Sequence, residues 1–178
     1  TAFNWLLNVS MLQVWDPRYS SINAPSWSLG WLLFFYLCFP VLAPRLARVR
    51  RRAAALIAVW LLYLVPPLTV VLIGAYTPVA AGVIEHNPIV RIPEFMSGIL
   101  LYGLYASGRL NWMLGSRLRK AAAAAFVLAS FVLASHLIAA GPLYWLYIVH
   151  NGGLMPAELI LVALCANAAV PKRAHRIT

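Results

Sequence analysis

The sequence predicts an all-α fold, a polytopic bundle of about five transmembrane helices. Three observations carry that reading. Apolar residues make up 63% of the 178 positions and charged residues 10%; soluble domains hold roughly 45–50% and about 25%. The apolar residues gather into stretches near the length of about 20 residues that a bilayer requires. Basic side chains cluster between those stretches, on alternate connections. A water-soluble fold of this size needs far more polar surface. A disordered chain is excluded by the same apolar content and by 12% aromatic residues.

The elements follow in order. Residues 1–15 are amphipathic, either an interfacial helix or the end of an earlier span. Tyr19 to Pro44 contains no charge, and its core, Trp27 to Leu42, is the first span. Pro25 suits a helix start, and Ser26 or Ser28 can satisfy the first free N–H groups. Ala53 to about Ile73 is the second span, with a kink expected at Pro66-Pro67. Pro93 to about Ser107 is a short third. Ala121 to about Ala139 is the fourth, opening on an alanine run that favours helix. Pro156 to Val170 is a short fifth, with Pro156 in its first turn. Gly141-Pro142 and Asn151-Gly152-Gly153 mark the loop between the last two. Cys38 and Cys165 fit no metal or disulfide pattern and read as small buried residues. No signal peptide or internal repeat is visible. The chain does not begin with Met, and residues 1–178 are read as one domain truncated at both ends.

The net charge of +10 is not spread evenly. Arg45, Arg48, Arg50, Arg51 and Arg52 follow the first span; Arg109, Arg117, Arg119 and Lys120 follow the third; Lys172, Arg173 and Arg176 follow the fifth. Arg18 and Arg91 fall on the other side. Cytoplasmic loops are enriched in Lys and Arg, so the basic side is read as cytoplasmic, with attraction to anionic lipid. That distribution argues against nucleic acid as a partner. Asp16, Glu85, Glu94 and Glu158 take the opposite side, with His86, His136 and His150. A reactive pocket is therefore expected to open outward, since ionisable groups at membrane depth mark function.

Two segments carry more specific signal. Pro25-Ser26-Trp27-Ser28-Leu29 leads into Phe34-Phe35-Tyr36 and Phe39-Pro40. Asn87 precedes Arg91-Ile92-Pro93-Glu94-Phe95, with Gly98 following. On physical grounds Pro93 suits a first helical turn, Glu94 a helix N-terminus, and Arg91 and Glu94 can pair three residues apart. That pair reads either as a capped helix start or as a fixed ion pair for substrate. Together the two segments resemble the membrane-bound acyltransferase-3 family, the O-acetyltransferases of bacterial surface polysaccharides and related acceptors. They match its Pro-x-Trp-Ser-Leu…Phe-Pro and Arg-x-Pro-Glu-Phe-x-x-Gly segments, along most of the chain. One departure is Leu32, where the family carries Glu.

The resemblance implies transfer of an acyl group, with acetyl the expected one, from acyl-CoA to a hydroxyl of a glycan or lipid-linked sugar. It implies a bacterial cytoplasmic membrane, acyl-CoA as co-substrate with no resident cofactor, and a catalytic His in a segment ahead of this chain. Substrate contacts are expected from Trp27, Ser28, Asn87, Arg91 and Glu94; His86, His136 and His150 match no family position. There is no Gly-x-Ser-x-Gly elbow, His-Glu-x-x-His or Cys-x-x-Cys. Two other classes stay open. A polar-lipid transporter would use midplane polar groups and broken helices, of which Pro66-Pro67 is a hint. A scaffold or degenerate acyltransferase would fit Leu32.

Overall fold

A computed structural model describes residues 2–15 and 26–169, with side chains of the second stretch from Ser28 onward. Asp16, Arg18, Asn23, Pro25, Val170 and the basic tail from Lys172 to Arg176 lie outside the described residues. Among the described residues the chain is helical, without strands.

Helix α1 (Ala2–Val9) is followed by a tight turn at Gln13–Trp15 that packs on α2 (Ser26–Ala47). Gly30 permits the contact. A Cβ there would stand 2.8 Å from the Met11 carbonyl oxygen and 2.9 Å from the Val14 methyls. Trp15 then meets Phe34 edge-on at 5.3 Å.

Helix α3 (Arg52–Ile73) continues through Pro66 and Pro67 and stops at Gly74. Gly74 adopts φ +66°, a left-handed conformation that glycine reaches without strain. Helix α4 (Pro78–His86) starts under the Thr77 hydroxyl, which accepts from the Ala80 N–H. Helix α5 (Pro88–Ala106) follows after a single residue, Asn87. The short α6 (Asn111–Leu114) leads into α7 (Arg117–Ala140). Helix α8 (Tyr144–Ile148), a π-helical turn at Val149–Gly153 and α9 (Met155–Ala169) complete the described chain.

Five stretches are long and apolar enough to cross a bilayer: Ser28–Ala47, Arg52–Ile73, Pro78–Ala106, Arg117–Ala140 and Tyr144–Ala169. The expected five-span bundle is therefore found, but two of its members differ from expectation. The third span is not a short helix opening at Pro93. It begins at Pro78 and breaks at Asn87, and Pro93 lies buried inside α5. The fifth begins at Tyr144, so Asn151-Gly152-Gly153 is an interruption within a span rather than a surface loop. Asn151 is 1% exposed.

Helices α3 and α5 form the packed centre, where Tyr63, Pro67, Pro88, Ser97 and Leu100 are fully buried. Helix α2 lies against α5 through Phe35 and Phe95, stacked at 5.0 Å with planes 12° apart. Leu101, Met113, Leu114 and Ala163 tie α5, α6 and α9 together at one end. The alternation of the spans gathers Arg45 to Arg52 and Arg109 to Lys120 at that same end, here called the basic end. The cysteines depart from expectation. Cys38 is half-buried and Cys165 exposed, because described residues do not cover that face of α9.

Candidate functional site

The site is built around Tyr63, the midpoint of the 22-residue α3. At 1.5 Å per residue it stands roughly 16 Å from either end of that helix, half the thickness of a hydrocarbon core. A phenol hydroxyl at that depth must find partners within the protein. Its partners are on α5. The Tyr63 hydroxyl accepts from Arg91 and donates to Glu94 Oε1, and Arg91 also donates to Glu94 Oε1. The three side chains close a triangle in which the carboxylate oxygen holds two donors. The Arg91 side chain is 13% exposed and that of Glu94 32%. The pair thus sits inside the bundle with the carboxylate turned toward open space.

The backbone explains how Arg91 is aimed. Pro88 has no N–H, and the Ile89 N–H is taken by the Asn87 side-chain oxygen at 2.9 Å. The carbonyl of Glu85, four residues before Ile89, is left without its usual helical donor. Arg91 Nε takes it, at 3.0 Å. The break therefore creates the acceptor that orients the guanidinium, and the guanidinium then fixes Glu94.

Glu94 opens onto a cavity of about 580 Å³ between α2 and α5. Phe39, Phe95, Gly98 and Tyr102 line its length, and Arg52 stands at the basic end. Gly98 leaves the wall open, since a Cβ there would meet nothing within 4 Å. Arg52 donates to the carbonyls of Gly103 (2.9 Å) and Ala47 (2.8 Å). Its buried Nε has no hydrogen-bond partner among the described residues. The cavity is thus an apolar slot with a cation at its basic mouth and a fixed carboxylate at mid-depth.

A family model described as an acyltransferase domain matches residues 1–178. The chain belongs to the acyltransferase-3 family. No match is found among curated proteins or among solved structures. The two acyltransferase-3 segments meet in space. Phe35 stacks on Phe95, and Phe39 approaches Phe95 edge-on at 6.0 Å. Arg91 and Glu94 form the ion pair, and Gly98 borders the slot. Leu32 is on an exposed side of α2, whereas Phe35 is 4% exposed.

Of the residues singled out from the sequence, Arg91 and Glu94 are brought together, at mid-depth rather than at an outer mouth. Asn87 is near them as the cap of α5. Ser28 stands in the first turn of α2, about two helical turns from Phe35. Trp27 is in that turn too, and its side chain lies outside the described residues. Tyr63 and the break at Asn87 are not legible in the sequence, and Arg52 is legible only as one member of a basic cluster. A faint signal for Tyr63 does exist: Trp60 and Tyr63, three apart, share a face of α3, and both carry polar atoms that hydrocarbon cannot satisfy.

Proposed function

We propose that this integral membrane protein is an O-acyltransferase. It moves an acyl group, acetyl in the simplest case, from acyl-CoA to a hydroxyl of a glycan or lipid-linked sugar. The observation that carries the reading is the Tyr63–Arg91–Glu94 triangle at mid-depth, bordering a slot that has a cation, Arg52, at its basic end. An acyl-CoA has the complementary form: an anionic nucleotide and phosphate end, then a long uncharged arm ending in a thioester. In this reading the basic end faces the cytoplasm of a bacterium, Arg52 and its neighbours meet the phosphates, and the arm lies along Phe39, Gly98 and Tyr102.

The chemistry is acyl substitution. The acceptor oxygen loses its proton to a base and attacks the thioester carbonyl; the carbon–sulfur bond breaks and the coenzyme leaves as a thiol. The base is supplied by the His-bearing segment that the family resemblance places ahead of this chain. Glu94, held rigid by two donors, fixes the end of the donor arm through its amide or the incoming hydroxyl. Rigid positioning of two reactants contributes much of such a rate enhancement.

The test is transfer of labelled acetyl from acetyl-CoA in native membranes. Arg91→Ala and Glu94→Gln abolish transfer in well-expressed protein. Gly98→Val, which fills the slot without backbone strain, raises the KM for acetyl-CoA. Full transfer by Arg91→Ala would remove the triangle from the mechanism. A second reading has a specific observation in its favour: broken helices and a charged pair at mid-depth are also the features of transporters. It predicts movement of a polar lipid with no acetyl transferred, so that the label stays on acetyl-CoA in the same membranes.

A further inference from the structure

A second group of ionisable side chains lies outside the triangle, between α7 and α9. Phe131, Ser135, His150, Leu154 and Glu158 line a cavity of about 360 Å³, inside the range of roughly 300–1,000 Å³ for small-molecule pockets. Its depth is unusual for its chemistry. Glu158 is near the middle of the 26-residue stretch Tyr144–Ala169, and His150 belongs to the π-helical turn that interrupts it. Both side chains, and Ser135, are exposed on the outside of the described bundle. A carboxylate and an imidazole at this depth do not face hydrocarbon. Interrupted backbone is tolerated there where it is buried in protein or lines a polar cavity.

The pocket neighbours the triangle. Glu158 lies within electrostatic range of His150, Glu94 and Arg91. Ser97, one turn beyond Glu94, touches the Met155 sulfur, one turn before Glu158, at 3.9 Å. The slot at Glu94 and the pocket at Glu158 thus flank one α5–α9 contact.

We propose that this pocket binds the sugar unit of the acceptor. The proposal rests on the acyltransferase reading and deepens it. The lining has the mixed character that a neutral polyol requires. The carboxylate accepts from ring hydroxyls, the Ser135 oxygen accepts too because its own proton is given to the Val132 carbonyl at 2.8 Å, His150 donates or accepts, and the Phe131 ring offers an apolar wall to the C–H face. Among the described residues no three His, Cys, Asp or Glu side chains are grouped to hold a metal ion.

The experiment labels Glu158 with a hydrophobic carbodiimide in native membranes and reads the adduct by peptide mass spectrometry. Glucose, galactose, rhamnose and N-acetylglucosamine serve as probes, with coenzyme A as the comparison. The expected result is labelling of Glu158 that at least one neutral sugar slows and coenzyme A does not. Protection follows occupancy, about tenfold at ten times the dissociation constant. Phe131→Ala and His150→Gln, both at exposed positions, weaken it. An unlabelled Glu158, labelling indifferent to every sugar, or protection by coenzyme A alone would each overturn the proposal. Acetyl transfer is measured in the same membranes. Its absence counts against the acyltransferase reading, while sugar protection still decides the pocket.

Discussion

Two spans of this protein are interrupted at mid-depth, and the two interruptions are repaired differently. At Asn87-Pro88 the repair is local and polar: Asn87 caps the new helix, and Arg91 takes the freed Glu85 carbonyl. At Val149–Gly153 it comes from another helix. Trp60 on α3 donates its indole N–H to the Gly152 carbonyl at 2.8 Å, and the Asn151 amide donates to the Tyr147 carbonyl at 2.8 Å. Asn151 Oδ1 is left buried with no partner among the described residues. The first break spends its orphan carbonyl on aiming a charged side chain. The second, with φ +109° at Gly152, brings backbone against Tyr63. Both breaks therefore terminate on the same triangle, one through Arg91 and the other through Tyr63.

The comparison is broken most severely at Arg91. Arg91→Ala removes a donor from Tyr63, from Glu94 and from the Glu85 carbonyl together. Leaving one partner of a buried ion pair costs roughly 3–5 kcal/mol. Since Glu94 is about a third exposed, we expect about 3 kcal/mol, near the bottom of that range. Thermal unfolding in detergent measures it. Arg91→Lys, which cannot reach three acceptors in one plane, restores less than half of the loss. Next in size is Gly152→Ala. Its φ of +109° disfavours any L side chain, and the new Cβ would stand 2.9 Å from Tyr63 Cδ1. We expect about 2 kcal/mol of strain, together with reduced acyl transfer because the Tyr63 ring is displaced. A Gly152→Ala protein with normal transfer would show that the second break does not support the triangle.

These two positions also show what the sequence could and could not reveal. The second and fourth spans are legible because each is an uncharged apolar stretch that follows a basic cluster and ends at a glycine. The sequence places the third span's start at Pro93 because proline suits a first helical turn, which leaves Arg91 outside; an arginine costs too much in hydrocarbon to be placed there without its partner. That partner set includes Tyr63, 28 residues away in sequence, so the neutralising contact is tertiary and leaves no local trace. Asn151-Gly152-Gly153 has the sequence of a loop for a parallel reason. Its dipeptides signal turns, and only the packing of Trp60 and Tyr63 reveals that the turn is buried. The ion pair itself was legible from the i, i+3 spacing, which a helix enforces wherever it starts.

Trp60→Phe separates hydrogen bonding from packing at the second break. The ring remains, but the Gly152 carbonyl loses its donor at a half-buried site. About 1 kcal/mol of stability is expected to go, the ordinary value for one such bond, with acyl transfer close to normal. A loss as large as that of Gly152→Ala would mean that the indole N–H, rather than glycine's conformation, holds the break against Tyr63.

Asn87→Ala sharpens the contrast from the other side and has the smallest effect expected. The cap oxygen accepts from Ile89 N–H at the exposed edge of the break, where water can replace it. An N-cap lost in this way costs about 1 kcal/mol or less. The consequence is not confined to the cap, however. With Ile89 N–H released, it can compete with Arg91 Nε for the Glu85 carbonyl, and the guanidinium is held less firmly over Glu94. Asn87→Ala should therefore lower acyl transfer by more than its small stability change would suggest, and Asn87→Asp or Asn87→Ser, which restore an acceptor, should recover both. Equal and small losses in stability and transfer would reduce Asn87 to a cap alone, and would make the Glu85–Arg91 contact independent of the residue that creates it.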